Sequence, residues 1–156
     1  MKTLLLVVGL AASACAQTSN AYVFFAPGGL TAAGHTSMFL HTGVGVDAVL
    51  VKGLGVNLEI GALAPRDELA SGVGLFSPGA TFYWRRAPDR KVDPFVAGGY
   101  SLMFRAGHAN LWYFSGGANY WFARRIGLRM EARDHVTTGC CLTGHFWGMR
   151  LGMAFR

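Results

Sequence analysis

Apolar and polar positions alternate along the chain with a period of two, most sharply over its last twelve residues. From His145 to Arg156, Trp147, Met149, Leu151, Met153 and Phe155 share one parity, and Gly148, Arg150, Gly152 and Ala154 share the other. Successive side chains of a strand point to opposite faces, so this pattern predicts a strand. One face is uniformly large and apolar, while the other is small residues around a single charge. That suits the crowded inside of a narrow barrel whose apolar face meets lipid.

The same alternation recurs upstream, broken by turn signals. A second strand is expected over Met38 to Val51, with Met38, Leu40, Val44, Val46, Ala48 and Leu50 against His41, Gly43, Gly45 and Asp47. A tight turn at Lys52-Gly53 leads to a third, Leu54 to Ala62, where Leu54, Val56, Leu58 and Ile60 oppose Gly55, Asn57, Glu59 and Gly61. A fourth covers Gly72 to Arg85, with Phe76, Ala80, Phe82 and Trp84 outward. A fifth covers Pro94 to Arg105, with Val96, Tyr100, Leu102 and Phe104 outward. The sixth, Leu111 to Phe122, turns Phe114, Ala118, Tyr120 and Phe122 out and Ser115, Gly117 and Asn119 in. The seventh, Ile126 to Asp134, sets Ile126, Leu128, Met130 and Ala132 against Gly127, Arg129, Glu131 and Arg133. The first, near Ala21 to Ala26, is apolar on both faces at Tyr22-Val23-Phe24-Phe25. The total of eight lets an antiparallel meander close with both ends on one side. The fold expected is all-β: an eight-stranded antiparallel up-and-down transmembrane β-barrel.

The links alternate in character. Those after strands two, four and six read as turns. Those after one, three, five and seven read as longer loops: PGGLTAAGHT, APRDELASG, AGHAN and HVTTGCCLT. Short periplasmic turns and longer external loops are the habit of outer-membrane barrels. Trp84, Tyr100, Tyr120, Phe122, Trp147 and Phe155 fall near strand ends, where aromatic girdles mark the membrane interfaces.

Composition agrees. The chain is 52% hydrophobic and only 14% charged, against roughly 25% charged in ordinary soluble domains. No apolar run is long enough for a helical span. The start reads as a secretory signal peptide over 1–16, with Met1-Lys2, an apolar Leu4 to Leu10 and an Ala14-Cys15-Ala16 site before Gln17. Cleavage before Cys15 would instead resemble lipoprotein processing. The barrel domain then occupies 17–156. The net charge is +6, of which Lys2 supplies one, leaving +5 after cleavage. The basic pairs Arg85-Arg86, Arg90-Lys91 and Arg124-Arg125 fall in turns, not among exposed aromatics on one face, so no nucleic-acid partner is expected.

From Ala21 to its end the chain resembles the small eight-stranded outer-membrane β-barrel proteins, the family of outer membrane protein β-barrel domains that includes the transmembrane domain of outer membrane protein A. These finish on a polar-x-Gly-x-x-aromatic-x-aromatic assembly signal. Arg150, Gly152 and Phe155 match its first part, and Arg156 follows where a further aromatic would be one residue on. The resemblance implies outer-membrane lipid and the outer-membrane assembly machinery as partners, and outer-membrane localisation. It names no loop partner.

An eight-stranded barrel leaves a lumen that side chains can fill. Inward parity collects Asp47, Glu59, Arg129, Glu131, Arg133 and Arg150, with His41 nearby. A packed ion-pair network is the expectation, with Glu131 and Arg150 paired across strands seven and eight; a conducting path is the alternative. His135 and Thr137 resemble the His-x-Ser pair of outer-membrane lipid A deacylases, but threonine replaces serine, and strand parity turns the adjacent Asp134 away from His135. His135 therefore reads as a loop histidine, and no catalytic residue is assigned. Cys140 and Cys141 are candidates for a vicinal disulfide or an intermolecular bridge in an oxidising compartment. Two cysteines fall short of the four ligands of a structural zinc site, so no metal or other cofactor is expected.

The function expected is non-enzymatic, structural or surface-interactive, from a barrel with a side-chain-filled interior. A small pore or transporter for small or hydrophobic molecules is the first alternative. A lipid A-modifying enzyme is the second. A soluble lipocalin-type barrel would reverse the two faces.

Overall fold

A computed structural model describes residues 19–32, 35–84, 90–105, 109–138 and 143–156. Residues 1–16, expected as a signal peptide, and Cys140 and Cys141 lie outside the described residues. Eight strands form a closed barrel in sequence order: β1 Ser19–Ala32, β2 His35–Val51, β3 Leu54–Pro65, β4 Val73–Tyr83, β5 Val92–Phe104, β6 Ala109–Trp121, β7 Ile126–Thr138 and β8 Thr143–Phe155. Every neighbouring pair is antiparallel, and β8 closes on β1 from Ala21↔Phe155 to Ala32↔Gly144. We call the end where β1 begins and β8 finishes the lower end.

The in/out assignment follows the alternation. Val44, Val46, Val56, Leu58, Ile60, Phe114, Met149 and Leu151 are exposed on the outer wall, while Asp47, Glu59, Arg129, Glu131 and Arg150 are buried inside. A soluble ligand barrel has the reverse arrangement, so the lipocalin-type reading is overturned. At β1 the ambiguity resolves by parity: Tyr22, Phe24 and Ala26 are buried, and Val23 and Phe25 are exposed. Of the six aromatics expected at the strand ends, Trp84, Tyr120, Phe122, Trp147 and Phe155 are exposed. Tyr100 is half-buried, edge-on to Trp112, with its hydroxyl bonded to Asn110.

The lower turn between β2 and β3 is tight. Lys52 and Gly53 both have positive φ, 48° and 88°, which is the two-residue turn whose twist matches a hairpin. The upper links differ from expectation. Over 27–36, expected as a loop, β1 and β2 stay paired from Pro27↔Leu40 to Ala32↔His35. Pro27 lacks an N–H, and the β1–β8 ladder skips there between Phe25↔Leu151 and Gly28↔Gly148. Gly28 serves close approach, not a turn: a Cβ there would lie 2.2 Å from the Trp147 carbonyl oxygen. β7 likewise runs on to Thr138 through the β-branched Val136-Thr137-Thr138, where aromatic and β-branched residues favour strand. The link after β3 carries a 3-10 turn at Leu69–Ser71.

Candidate functional site

The interior is the site to which the chain commits its buried chemistry. β7 supplies Arg129, Glu131 and Arg133 at every second position, so the three side chains stack along the lumen on one face. β8 sets Arg150 directly opposite Glu131 in register. Asp47 on β2 and Glu59 on β3 reach in from the other side of β1. The structure brings all six expected residues together.

Glu131 is the hub. Its Oε1 accepts from Arg133 Nε at 2.7 Å and from Arg150 Nη1 at 3.0 Å, and its Oε2 accepts from Arg129 Nε at 3.1 Å. Two carboxylates complete the balance. Arg129 Nη1 donates to Asp47 Oδ2 at 2.9 Å. Arg133 Nη1 donates to Glu59 Oε1 at 3.2 Å, and Arg150 Nη2 lies 2.7 Å from Glu59 Oε2. Three arginines thus face three carboxylates. Buried charge is tolerable only when paired and hydrogen-bonded, and here each charged group has a partner.

Aromatic rings complete the arginine environments. The Arg129 guanidinium sits between Tyr22 and Phe95, at 4.1 and 4.0 Å from their ring centroids. Arg150 lies 3.4 Å from the centroid of Phe24, and Arg133 4.3 Å from that of Tyr113. Such stacking suits the weakly hydrated, planar guanidinium. Hydroxyls and amides extend the network. Tyr22 donates to Glu59 at 3.1 Å, Tyr83 to Asp47 at 2.5 Å, and Tyr113 to Asn57 at 2.8 Å. Sequence reasoning missed the three tyrosines. The inward parity of Tyr83 and Tyr113 on β4 and β6 was the available signal.

Below the network, Trp121 Nε1 donates to the buried Asp93 at 2.7 Å. Above it His41 and His135 are buried with ring centroids 5.8 Å apart, beside a cavity of about 30 Å³ that Arg133 and Arg150 also line. Phe39 and Phe146 meet edge-on at 5.8 Å by the same cavity. His135 is therefore a β7 residue inside the barrel, which corrects the loop reading. Its ring packs on Tyr113 at 5.7 Å, away from the lipid-facing wall. The adjacent Asp134 points outward and instead meets His145 Nδ1 at 2.8 Å. Among the described residues no cluster of three or more histidine, cysteine or acidic residues could hold a metal ion. Of the residues expected to form an assembly signal, Phe155 is exposed on the outer wall, Arg150 is buried, and Gly152 adjoins Phe24 in register.

No protein-family model matches the sequence, and no curated protein is similar to it. Solved structures are similar in fold. Neisserial surface protein A (NspA) aligns over 88% of this chain and 96% of its own, at a TM-score of 0.68 and 11% identity. The N-terminal β-barrel domain of Pseudomonas aeruginosa OprF aligns over 86% and 96%, at 0.61 and 14%. Ail, the attachment invasion locus protein of Yersinia pestis, aligns over 88% and 97%, at 0.52 and 11%. At such identities the likeness is one of fold: this chain is built like the small eight-stranded transmembrane barrels of bacterial outer membranes.

Proposed function

We propose that the protein is an integral outer-membrane barrel whose lumen is sealed by its own side chains, so that its role is structural or is exercised by the upper links at the cell surface. The observation that carries this reading is the burial of the charge network. Asp47, Glu59, Arg129, Glu131, Arg133 and Arg150 are each exposed by 4% or less. A water-filled conduit would wet them. The role fits a fold shared with proteins named for the bacterial surface and for attachment. In this reading residues 1–16 export the chain, and Arg150, Gly152 and Phe155 serve the assembly machinery. The lower end then faces the periplasm.

Recording across a planar lipid bilayer tests it. The refolded protein is expected to give no steady conductance above the bare bilayer. A reproducible ohmic open level would revive the pore reading.

A further inference from the structure

Among the described residues the lower rim of the barrel carries exposed cations without exposed acids, whereas the upper end mixes the exposed Arg66 and Arg105 with acids. The three lower turns hold the exposed Lys52 after β2, Arg90 and Lys91 after β4, and Arg124 and Arg125 after β6. The sequence adds Arg85, Arg86 and Asp89 to the second of these links. Among the described residues the exposed or half-exposed acids, Asp67, Glu68 and Asp134, all belong to the upper half. Asp93, the described acid nearest the lower turns, is fully buried and accepts from Trp121. Closure of the barrel thus gathers three basic turns, far apart in sequence, onto one ring.

These basic residues adjoin the apolar wall directly. Lys52 lies between Val51 and Leu54, Lys91 precedes Val92, and Arg124-Arg125 fill the step from Phe122 to Ile126; all five of those apolar side chains are exposed. Trp84, Tyr120 and Phe155 complete an outward aromatic belt at the same level. A cationic side chain placed where the lipid-facing wall ends sits among headgroups, and it attracts anionic ones within about a Debye length.

We propose that the lower rim, Lys52, Arg90, Lys91, Arg124 and Arg125, binds anionic phospholipid headgroups of the leaflet it contacts. This rests on the reading of the chain as a membrane-embedded barrel. Lys52, Lys91, Arg124 and Arg125 each lie within two residues of an exposed apolar side chain of the wall, at the height of the aromatic belt, which favours lipid over an anionic polymer further out.

The test uses the full barrel folded into phosphatidylcholine vesicles in which a minority of lipids carries brominated chains. Those lipids are either phosphatidylglycerol or, as reference, phosphatidylcholine. Brominated chains quench tryptophan on contact, and Trp84 reports the lower rim once the exposed upper tryptophans are replaced in every sample by Trp112→Phe and Trp147→Phe. Brominated phosphatidylglycerol is expected to quench several-fold more than brominated phosphatidylcholine at equal mole fraction. High salt, and a variant carrying Lys52→Gln, Lys91→Gln, Arg124→Gln and Arg125→Gln, should each abolish the excess. Equal quenching by the two lipids with the wild-type rim would overturn the proposal. So would an excess unchanged in the variant. Cosedimentation with purified peptidoglycan, without any lipid preference, would overturn it in favour of the polymer. Heat-modifiable gel mobility in neutral vesicles separates the two failures: a barrel that inserts but shows no preference refutes the rim site alone, whereas a wild-type chain that does not insert refutes the membrane reading.

Discussion

Tyr22 reaches Glu59 by lying across Gly45. The three residues are cross-strand neighbours on β1, β2 and β3, and the tyrosine hydroxyl ends 3.1 Å from Glu59 Oε2. A Cβ on Gly45 would stand 2.4 Å from Tyr22 Cζ. The small residue makes room for the ring, the ring holds the carboxylate, and the carboxylate holds Arg133 and Arg150.

Gly45→Ala is therefore expected to destabilise the barrel by about 1–3 kcal/mol through overpacking. Tyr22→Phe is expected to cost about 1.5–3 kcal/mol through the lost hydrogen bond to a charged acceptor. Urea unfolding of the vesicle-embedded protein measures both. A Gly45→Ala variant with the wild-type midpoint would show that Tyr22 does not lie where we describe it.

Glu131→Gln removes the charge that three arginines share. Each arginine keeps a second carboxylate, Asp47 for Arg129 and Glu59 for Arg133 and Arg150, but the lumen is left with three buried cations on two anions, and a loss of up to about 3–5 kcal/mol is expected in urea unfolding. Adding Arg150→Gln restores equal numbers of opposite charges and should recover part of the loss, giving a non-additive double-mutant cycle. Additive losses would mean that Glu131 and Arg150 are not coupled.

The outer contact between Asp134 and His145 behaves differently. Asp134 and His145 meet at 2.8 Å with both side chains more than a third exposed. Asp134→Asn should change stability by less than about 1 kcal/mol, because screened surface pairs contribute little. A loss as large as that of Glu131→Gln would contradict this placement.

The wall itself can be probed by charge. Ile60 is exposed near the middle of β3. Ile60→Arg should cost about 2–4 kcal/mol in a bilayer, as for a cation at the hydrocarbon midplane. A neutral effect would place Ile60 in water.

Most of this fold is legible in the sequence because the inward and outward faces of a membrane barrel differ so strongly. The alternation at Ile126–Arg133 and at Trp147–Phe155 identifies strand, face and the inward charges together. Partner choice inside the lumen is less legible. Arg129 meets Asp47 across 82 residues of sequence, a contact set by barrel closure and stagger, not by any local pattern. Tyr22 was hidden because β1 is apolar on both faces. The first upper link is illegible because Pro27-Gly28-Gly29 carries a turn's composition while Gly28 serves close strand packing. The placement of His135 is illegible for another reason: β7 runs past the point where large apolar residues stop.

A closed barrel with lipid outside and charge inside is tested by gel mobility, boiled against unboiled, of the protein recovered from fractionated cells. Recovery in the outer-membrane fraction is expected, with an unboiled band that migrates apart from the boiled one. Recovery in the soluble periplasmic fraction, with no heat-dependent shift, would contradict it.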